Sequence, residues 1–395
     1  MAGSITGLGT TYNLPNYTGV LYKLSPTATP LFSAISGMNQ GGGQTTSTEF
    51  EWETYDLRQP GQNVALEGAN APTAQNRVRG NVTNICQIHH ETVGVSYSKL
   101  AAYGQKSGIN NDQQNPIVNE LDWQVQTMLT QMVRDINFSF WNGHYNKPSD
   151  NTQARKTKGL IDAIQTTKLE ATGSTLLTGA TSATDTITVA NTLANGDKVV
   201  FSNNGGAAIV EGKIYYVVSA AAGSFKIAAT SGGAAITVGT GSNIVVRKTS
   251  GTALTKAQVD ALAQSVWDNG GIDNELTAVL AVNSQQKVAI STAYGSQFQE
   301  NSRTLGGTNI DTIITDFGTL GVLRDRAVPQ DAIVCVTLEQ LMPVWLETPG
   351  KGHLFAEELA KTGASDNTQL YGEVGLKFGA ESAHGILRGL NLPNA

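Results

Sequence analysis

The stretch that decides the fold runs from Thr48 to Ala69, TEFEWETYDLRQPGQNVALEGA. Phe50, Trp52 and Leu57 mark a strand, and from Asp56 to Asn81 the chain turns rich in Gly, Asn, Gln and Pro with few large apolar residues. A connection of that length inside a compact domain is functional or disordered rather than a simple link. The return segment, NVTNICQIHHETVGVSYS from Asn81 to Ser98, alternates again, with Val82, Cys86 and Ile88 on one side and Val93, Val95 and Tyr97 continuing beyond. The two halves outline an extended hairpin arm with little core of its own, which neighbouring copies of the chain have to cover.

Upstream, Met1 to about Met38 is an arm broken by Pro15, Pro26 and Pro30, ending in an apolar patch of Leu31, Phe32 and Ile35 that docks it. Downstream, Asn115 and Pro116 predict a helix start, with Glu120 and Asp122 near the positive end of its dipole. Ile117, Leu121, Val125, Met128, Met132 and Ile136 then repeat on one face, widened by Val118, Leu129, Val133 and Phe140, until about Gly143. At 1.5 Å per residue this is a spine of roughly 40 Å.

Between Gly173 and Lys248 the composition changes: Pro, Trp, Cys, Met and His vanish, and Gly, Thr and Ala dominate. Strand-length runs start at Ile187, Lys198, Lys213, Ser224, Ile236 and Asn243, so this segment is a separate β module. The remainder mixes helix and strand. Thr255 and Gln258 form a capping-box pair ahead of Val259, Leu262, Val266 and Trp267, and the helix stops at Asn269 to Gly271. Leu276 to Val282 reads as a strand buried on both faces, followed by a short helix from Ser284. Ile310 to Val336 reads as strands turning at Gly318 and Pro329. HLFAEELAK, from His353, reads as a helix, and Gln369 to Phe378 as a long strand.

The 395 residues carry a net charge of -6 with a pI near 5.4, which argues against a dedicated nucleic-acid binder. The mixed run ARKTK at Ala154 to Lys158 reads as a solvated loop. Cys86 and Cys335 stand far apart with no metal-type spacing and read as buried thiols. No charge precedes Lys23 and no apolar run reaches membrane length, so neither a secretory signal nor a span is expected, and the protein is made and used in the cytosol or released by lysis.

His89, His90 and Glu91 are adjacent, but on a strand the two histidines point to opposite faces, which makes a poor metal site. GGGQ at Gly41 and PGKG at Pro349 lack the order of a phosphate loop, and Glu357 and Glu358 read as a solvated face. No enzyme, metal or cofactor is expected. Tyr215, Tyr216 and Phe225 in the β module offer either core packing or a platform for a glycan.

In order, SPTATPLFSAI, FEWETYDL with ALEGA, ITDFGTLGVLRDRAVP and ELAKTGASDNTQLYGEVGLKFGAESAHGILRGL resemble the major capsid protein of tailed bacteriophages with the Hong Kong 97 fold. The resemblance implies an α+β fold: an N-terminal arm (1–40), an E-loop hairpin (41–98) and a peripheral domain with the spine helix (99–172). An inserted all-β domain (173–250), an axial α/β domain (251–358) and a C-terminal return to both domains (359–395) follow. It implies a self-assembling icosahedral shell of hexamers and pentamers that encloses double-stranded DNA by non-specific contact. Separate scaffold, portal or decoration proteins are implied partners, without a membrane, with assembly in the host bacterial cytoplasm and residence in the virion. Leu31, Phe32, Phe50, Trp52, Arg58, Glu67, Arg77 and Arg79 are the implied contacts between subunits. Some capsids of this fold join an E-loop lysine to an asparagine of another subunit, but no lysine lies between Lys23 and Lys99 here, so noncovalent contacts are expected. The rival readings are a β-rich tail or surface protein that binds a host glycan, and a hydrolase centred on His89 or His384.

Overall fold

The computed structural model describes residues 24–35, 42–101, 119–273, 277–294, 303–305, 308–361 and 363–392. After helix α1 (Pro30–Ala34) come strands β1 (Gly43–Thr45), β2 (Glu49–Tyr55), β3 (Arg79–Ile85) and β4 (Gln87–Ser96). Helices α2 (Tyr97–Ala101), α3 (Glu120–Asn142) and α4 (Leu160–Ala163) lead to β5 (Lys168–Glu170). Next are β6 (Thr175–Ala183), β7 (Thr186–Thr188), β8 (Lys198–Asn203), β9 (Ile214–Ala221), β10 (Ser224–Ala228) and β11 (Gly241–Lys248). Then follow α5 (Lys256–Asp268), β12 (Ala278–Val282), α6 (Ser284–Tyr294), β13 (Arg303–Leu305), β14 (Thr308–Thr315), β15 (Gly318–Arg324) and β16 (Ile333–Thr337). The chain closes with β17 (Met342–Leu346), β18 (Leu354–Glu358), β19 (Ser365–Lys377) and β20 (Gly385–Arg388).

The described residues fall into two compact units, one drawn from those within 1–28, 89–134 and 354–371, the other from those within 29–88, 135–353 and 372–395. In the first, β18 lies beside the start of β19: Leu359 N donates to Asn367 O at 2.8 Å, and Gln369 Nε2 to Glu357 at 3.2 Å. Tyr371 stands between the rings of His90 and Phe355, with centroids 5.8 and 5.7 Å away.

In the second unit, a seven-stranded sheet has the order β13-β14-β15-β12-β16-β20-β5. All five residues of β12 are buried, as the run of apolar residues without alternation requires. Ala278, Leu280 and Val282 share one core with Val259, Leu262, Ala263 and Val266 of α5, spaced to make one helix face. That helix starts as expected: Gln258 Oε1 accepts the Thr255 N–H at 3.0 Å, and it ends at Asp268 before Gly270 and Gly271. Separately, β1 pairs with β17, which pairs with the second half of β19.

Strands β6 to β11 close into a barrel, in the order β10-β7-β6-β11-β8-β9. Ile187, Val199, Phe201, Tyr215, Val217, Phe225, Ile227, Ile244 and Val246 fill its interior. In sequence it stands between β5 and the rest of the sheet that β5 edges.

Several elements differ from the expectations. The helix α3 begins at Glu120, where the Asn119 side chain accepts the N–H groups of Leu121 and Asp122 at 3.1 and 3.4 Å; the cap is therefore Asn119, and Asn115 to Val118 lie outside the described residues. Leu354–Glu358 is a strand rather than a helix, because β19 offers it a ladder that outweighs its helix-forming residues. In the barrel the run at Ile236 forms no strand, while TLLTGATSA builds β6. The phase after Cys86 also shifts: Ile88 is exposed, His89 is buried, and Tyr97 opens α2. Asn84, Ile85 and Cys86 are all buried at the break between β3 and β4, so the alternation resets there.

Candidate functional site

The hairpin is built from a fixed base and an uncovered tip. Its base is β2 and β3, antiparallel from Glu49 opposite Ile85 to Tyr55 opposite Arg79. Trp52 anchors it: the ring meets Phe378 edge-on at 4.8 Å, stacks on Phe50 at 6.1 Å, and donates Nε1–H to Gly379 O at 2.8 Å. Asn84 closes the bottom, donating to Leu376 O at 2.7 Å and Lys158 O at 3.1 Å while accepting the Lys158 N–H at 2.9 Å. From the outer end of this base onward, every residue from Tyr55 to Asn81 is exposed. Among them are Tyr55, Leu57, Val64, Leu66 and Val78, each with at least two thirds of its surface open to solvent. Large side chains at that exposure, on a segment without a core, are left uncovered by their own chain.

The predicted contact residues divide accordingly. Arg58, Glu67 and Arg77 are exposed on the tip, and Arg79 is exposed at its root, paired with Glu53 at 2.7 Å. Trp52 is buried in its own chain and Phe50 is half-buried beside it, so both fix the base. Leu31 and Phe32 are 0% and 2% exposed and dock within the chain, with Phe32 against Phe140 and Trp345. Sequence reading also passed over what holds them. Asp325 accepts from Trp141 Nε1 at 2.8 Å, Asn137 Nδ2 at 3.0 Å and Leu31 N at 3.4 Å, and Asn137 Oδ1 takes the Phe32 N–H at 3.1 Å. Asn137 and Trp141 share a helix face at i and i+4, which was the one signal available.

The barrel's seat is the second feature. Ala171 N and Ser250 N, where the chain enters and leaves, donate to Arg388 O and Gly389 O at 2.8 and 2.6 Å. Arg247 clamps Glu170 through two bonds of 2.9 and 2.7 Å, with buried Asp331 behind it at 3.9 Å. The apolar part is small: Val200, Ile214 and Leu392, flanked by Tyr216. A cavity of about 330 Å³ opens beside it.

The residues considered for chemistry are placed structurally. His384 is fully buried, with Nδ1 accepting the Thr337 N–H at 3.3 Å and Nε2 donating to Phe378 O at 3.0 Å. Burial pulls both it and His89 down to about 4. Burial pushes the thiols of Cys86 and Cys335 up to about 12, well away from nucleophilic use. Among the described residues no group of three His, Cys, Asp or Glu side chains is arranged to hold a metal ion, and no helix is long and apolar enough to cross a membrane. Tyr215 and Phe225 lie in the barrel core, which takes the platform from the glycan reading.

A hairpin with an uncovered tip, a long helix and an open sheet define a shell-forming capsid subunit of the Hong Kong 97 fold. Solved structures share that fold at low identity. The Cyanophage A-1(L) capsid asymmetric unit is 12% identical with a TM-score of 0.53, covering 98% of this chain and 99% of that one. The capsid of the Cyanophage P-SCSP1u is 10% identical at 0.50, covering 98% and 99%. The capsid of a native GTA particle is 10% identical at 0.50, covering 97% of each. No curated relative matches the chain in sequence. The chain belongs to the SU10 major capsid protein family, which matches residues 4–391. It is a structural component of the virion whose copies form the capsid shell.

Proposed function

We propose that each copy lays the tip of its hairpin, Tyr55 to Asn81, over a neighbouring copy, and that hexamers and pentamers so joined close the icosahedral head around double-stranded DNA. The single observation that carries this reading is that uninterrupted exposed stretch with Leu57, Val64, Leu66 and Val78 on it. Arg58, Glu67, Arg77 and Arg79 meet the neighbour at its rim. In this reading the hairpin is the E-loop, α3 is the spine of the peripheral domain and the seven-stranded sheet is the axial domain. The barrel is an insertion that projects from the shell. The role is structural rather than catalytic. Without a lysine between Lys23 and Lys99, the tip holds its neighbour noncovalently. Many modest contacts per subunit make the network stable, because losing one does not release the subunit. Assembly takes place in the host cytoplasm, with a separate scaffold, a portal and decoration proteins as partners.

Electron microscopy of the purified chain, beside a variant lacking Gly61 to Asn76, tests the proposal. Closed shells from the intact chain and none from the variant are expected, with both proteins equally folded by circular dichroism. Equal shells from both would overturn the role of the tip.

A further inference from the structure

We propose that His144 and Glu211 form a pH-governed clasp that sets the posture of the barrel on the sheet, closed when the imidazole is protonated and slack when it is neutral. His144 stands just past the end of α3, and its Nε2 lies 3.2 Å from Glu211 Oε2 on the loop between β8 and β9. The same carboxylate organises its own loop, since Oε1 accepts the Asn204 N–H at 2.8 Å. The loop therefore senses the state of the histidine through one side chain. The His144 side chain is 41% exposed, so protons reach it, while Glu211 is only 14% exposed.

The clasp spans a gap rather than reinforcing a packed contact. A cavity of about 330 Å³ and a groove of about 620 Å³ that reaches Phe138 and Val210 both open at it; Asn142, His144, Asn203 and Glu211 line both. With the apolar seat reduced to Val200, Ile214, Leu392 and Tyr216, polar ties carry much of the barrel's attachment. Of these, the His144 tie is one whose charge changes near neutral pH.

Glu211 from the barrel, Asp162 from α4 and Lys156 from the loop after α3 act on His144, and Lys168, Glu170, Arg247 and Arg388 line the same cavity. The hydrogen bond from Glu211 raises the imidazole above its ordinary value of 6.5; burial opposes it, the charges of Glu211 and Asp162 add to it, and Lys156 subtracts. A raised value means that the stabilisation from the charged pair is fully present below 6.5 and is lost as pH climbs through the folded value.

Hydrogen exchange of the purified full chain from about pH 6 to about pH 9, a range that brackets the ordinary histidine value, tests the clasp after correction for the intrinsic rate. Amides of residues 204–212 are expected to lose protection several-fold across that range, while the barrel core at Val199 to Phe201 does not change. His144→Gln and Glu211→Gln should give low protection at every pH, and His144→Lys, a permanent cation, high protection at every pH. A flat profile for the intact chain, or an unchanged pH dependence in His144→Gln or His144→Lys, would overturn the proposal.

Discussion

At the scale of single residues, two buried polar groups hold distant parts of the second unit together. Asp325 is 2% exposed and held by neutral donors, the indole of Trp141, the amide of Asn137 and the N–H groups of Ala327 and Leu31. Asp325→Ala strands these donors without water, and at 1–3 kcal/mol for each unmade buried bond, discounted for relaxation, it should cost on the order of 4 kcal/mol. Asp325→Asn keeps one acceptor and should cost less. Urea midpoints of the unassembled chain decide this, and a loss of less than about 0.5 kcal/mol for the alanine variant, the range of ordinary surface changes, would refute it. His384 acts through protonation. Its folded value of about 4 lies below the ordinary 6.5, so the unfolded chain binds more protons between the two, and stability must fall as pH drops from 6.5 towards 4. In His384→Gln the slope of stability against pH in that window should shrink by about one proton. An unchanged slope would show that the ring is not the group being charged.

At the scale of elements, the end of α3 shows how close packing selects residues. Gly143 and Gly159 cross there: a Cβ on Gly159 would sit 2.5 Å from Gly143 N, 2.8 Å from Trp141 O and 2.9 Å from Ser139 O, all backbone atoms that cannot swing away. Gly159→Ala should therefore destabilise by roughly 2–3 kcal/mol, as overpacking does. Gly251→Ala, where a Cβ meets nothing within 4 Å, is the control and should be nearly silent in the same thermal melts. Equal behaviour of the two variants would mean that the crossing relaxes. The capping pair of Thr255 and Gln258 and the continuous apolar run of β12 were legible because both are local signals. Leu354–Glu358 was not legible, since its residues form either helix or strand and a partner ladder chose between them.

At the scale of the molecule, the barrel is joined to the sheet by two chain crossings that lie side by side, at Arg388 and Gly389. Insertions at such adjacent points are tolerated because the host's own ladder is not interrupted. Replacing residues 173–249 with a short Gly/Ser linker should leave the seven-stranded sheet folded, its core of β12, β16 and α5 lying outside the excised segment. Circular dichroism and the melting temperature of the shortened chain measure this. A chain that is soluble yet lacks a cooperative transition would show that the barrel is part of the host fold. The same point separates assembly from insertion: the hairpin variant is expected to lose shells with its sheet intact, whereas the barrel variant changes the seat at Glu170 and Asp331.

What the sequence determined by itself was whatever depends on neighbours along the chain. The anchor spacing of Phe50 and Trp52, the polar run after them, the helical stripe through Met132 and Ile136 and the compositional break at Gly173 all stated their structure locally, and their order carried the resemblance to capsid proteins. Tertiary structure alone decided where side chains ended up. Leu31 and Phe32 lie in the core, where Asp325, nearly three hundred positions away in the chain, accepts the N–H of Leu31 and receives bonds from the helix they pack on. Arg247, Glu170 and Asp331 met only when the barrel closed on its seat, and Leu57, Val64 and Leu66 stayed in water because the chain offers them no face. Pairing between distant segments is fixed by the sum of packing and satisfied polar groups over the whole fold, and no stretch of sequence contains that sum.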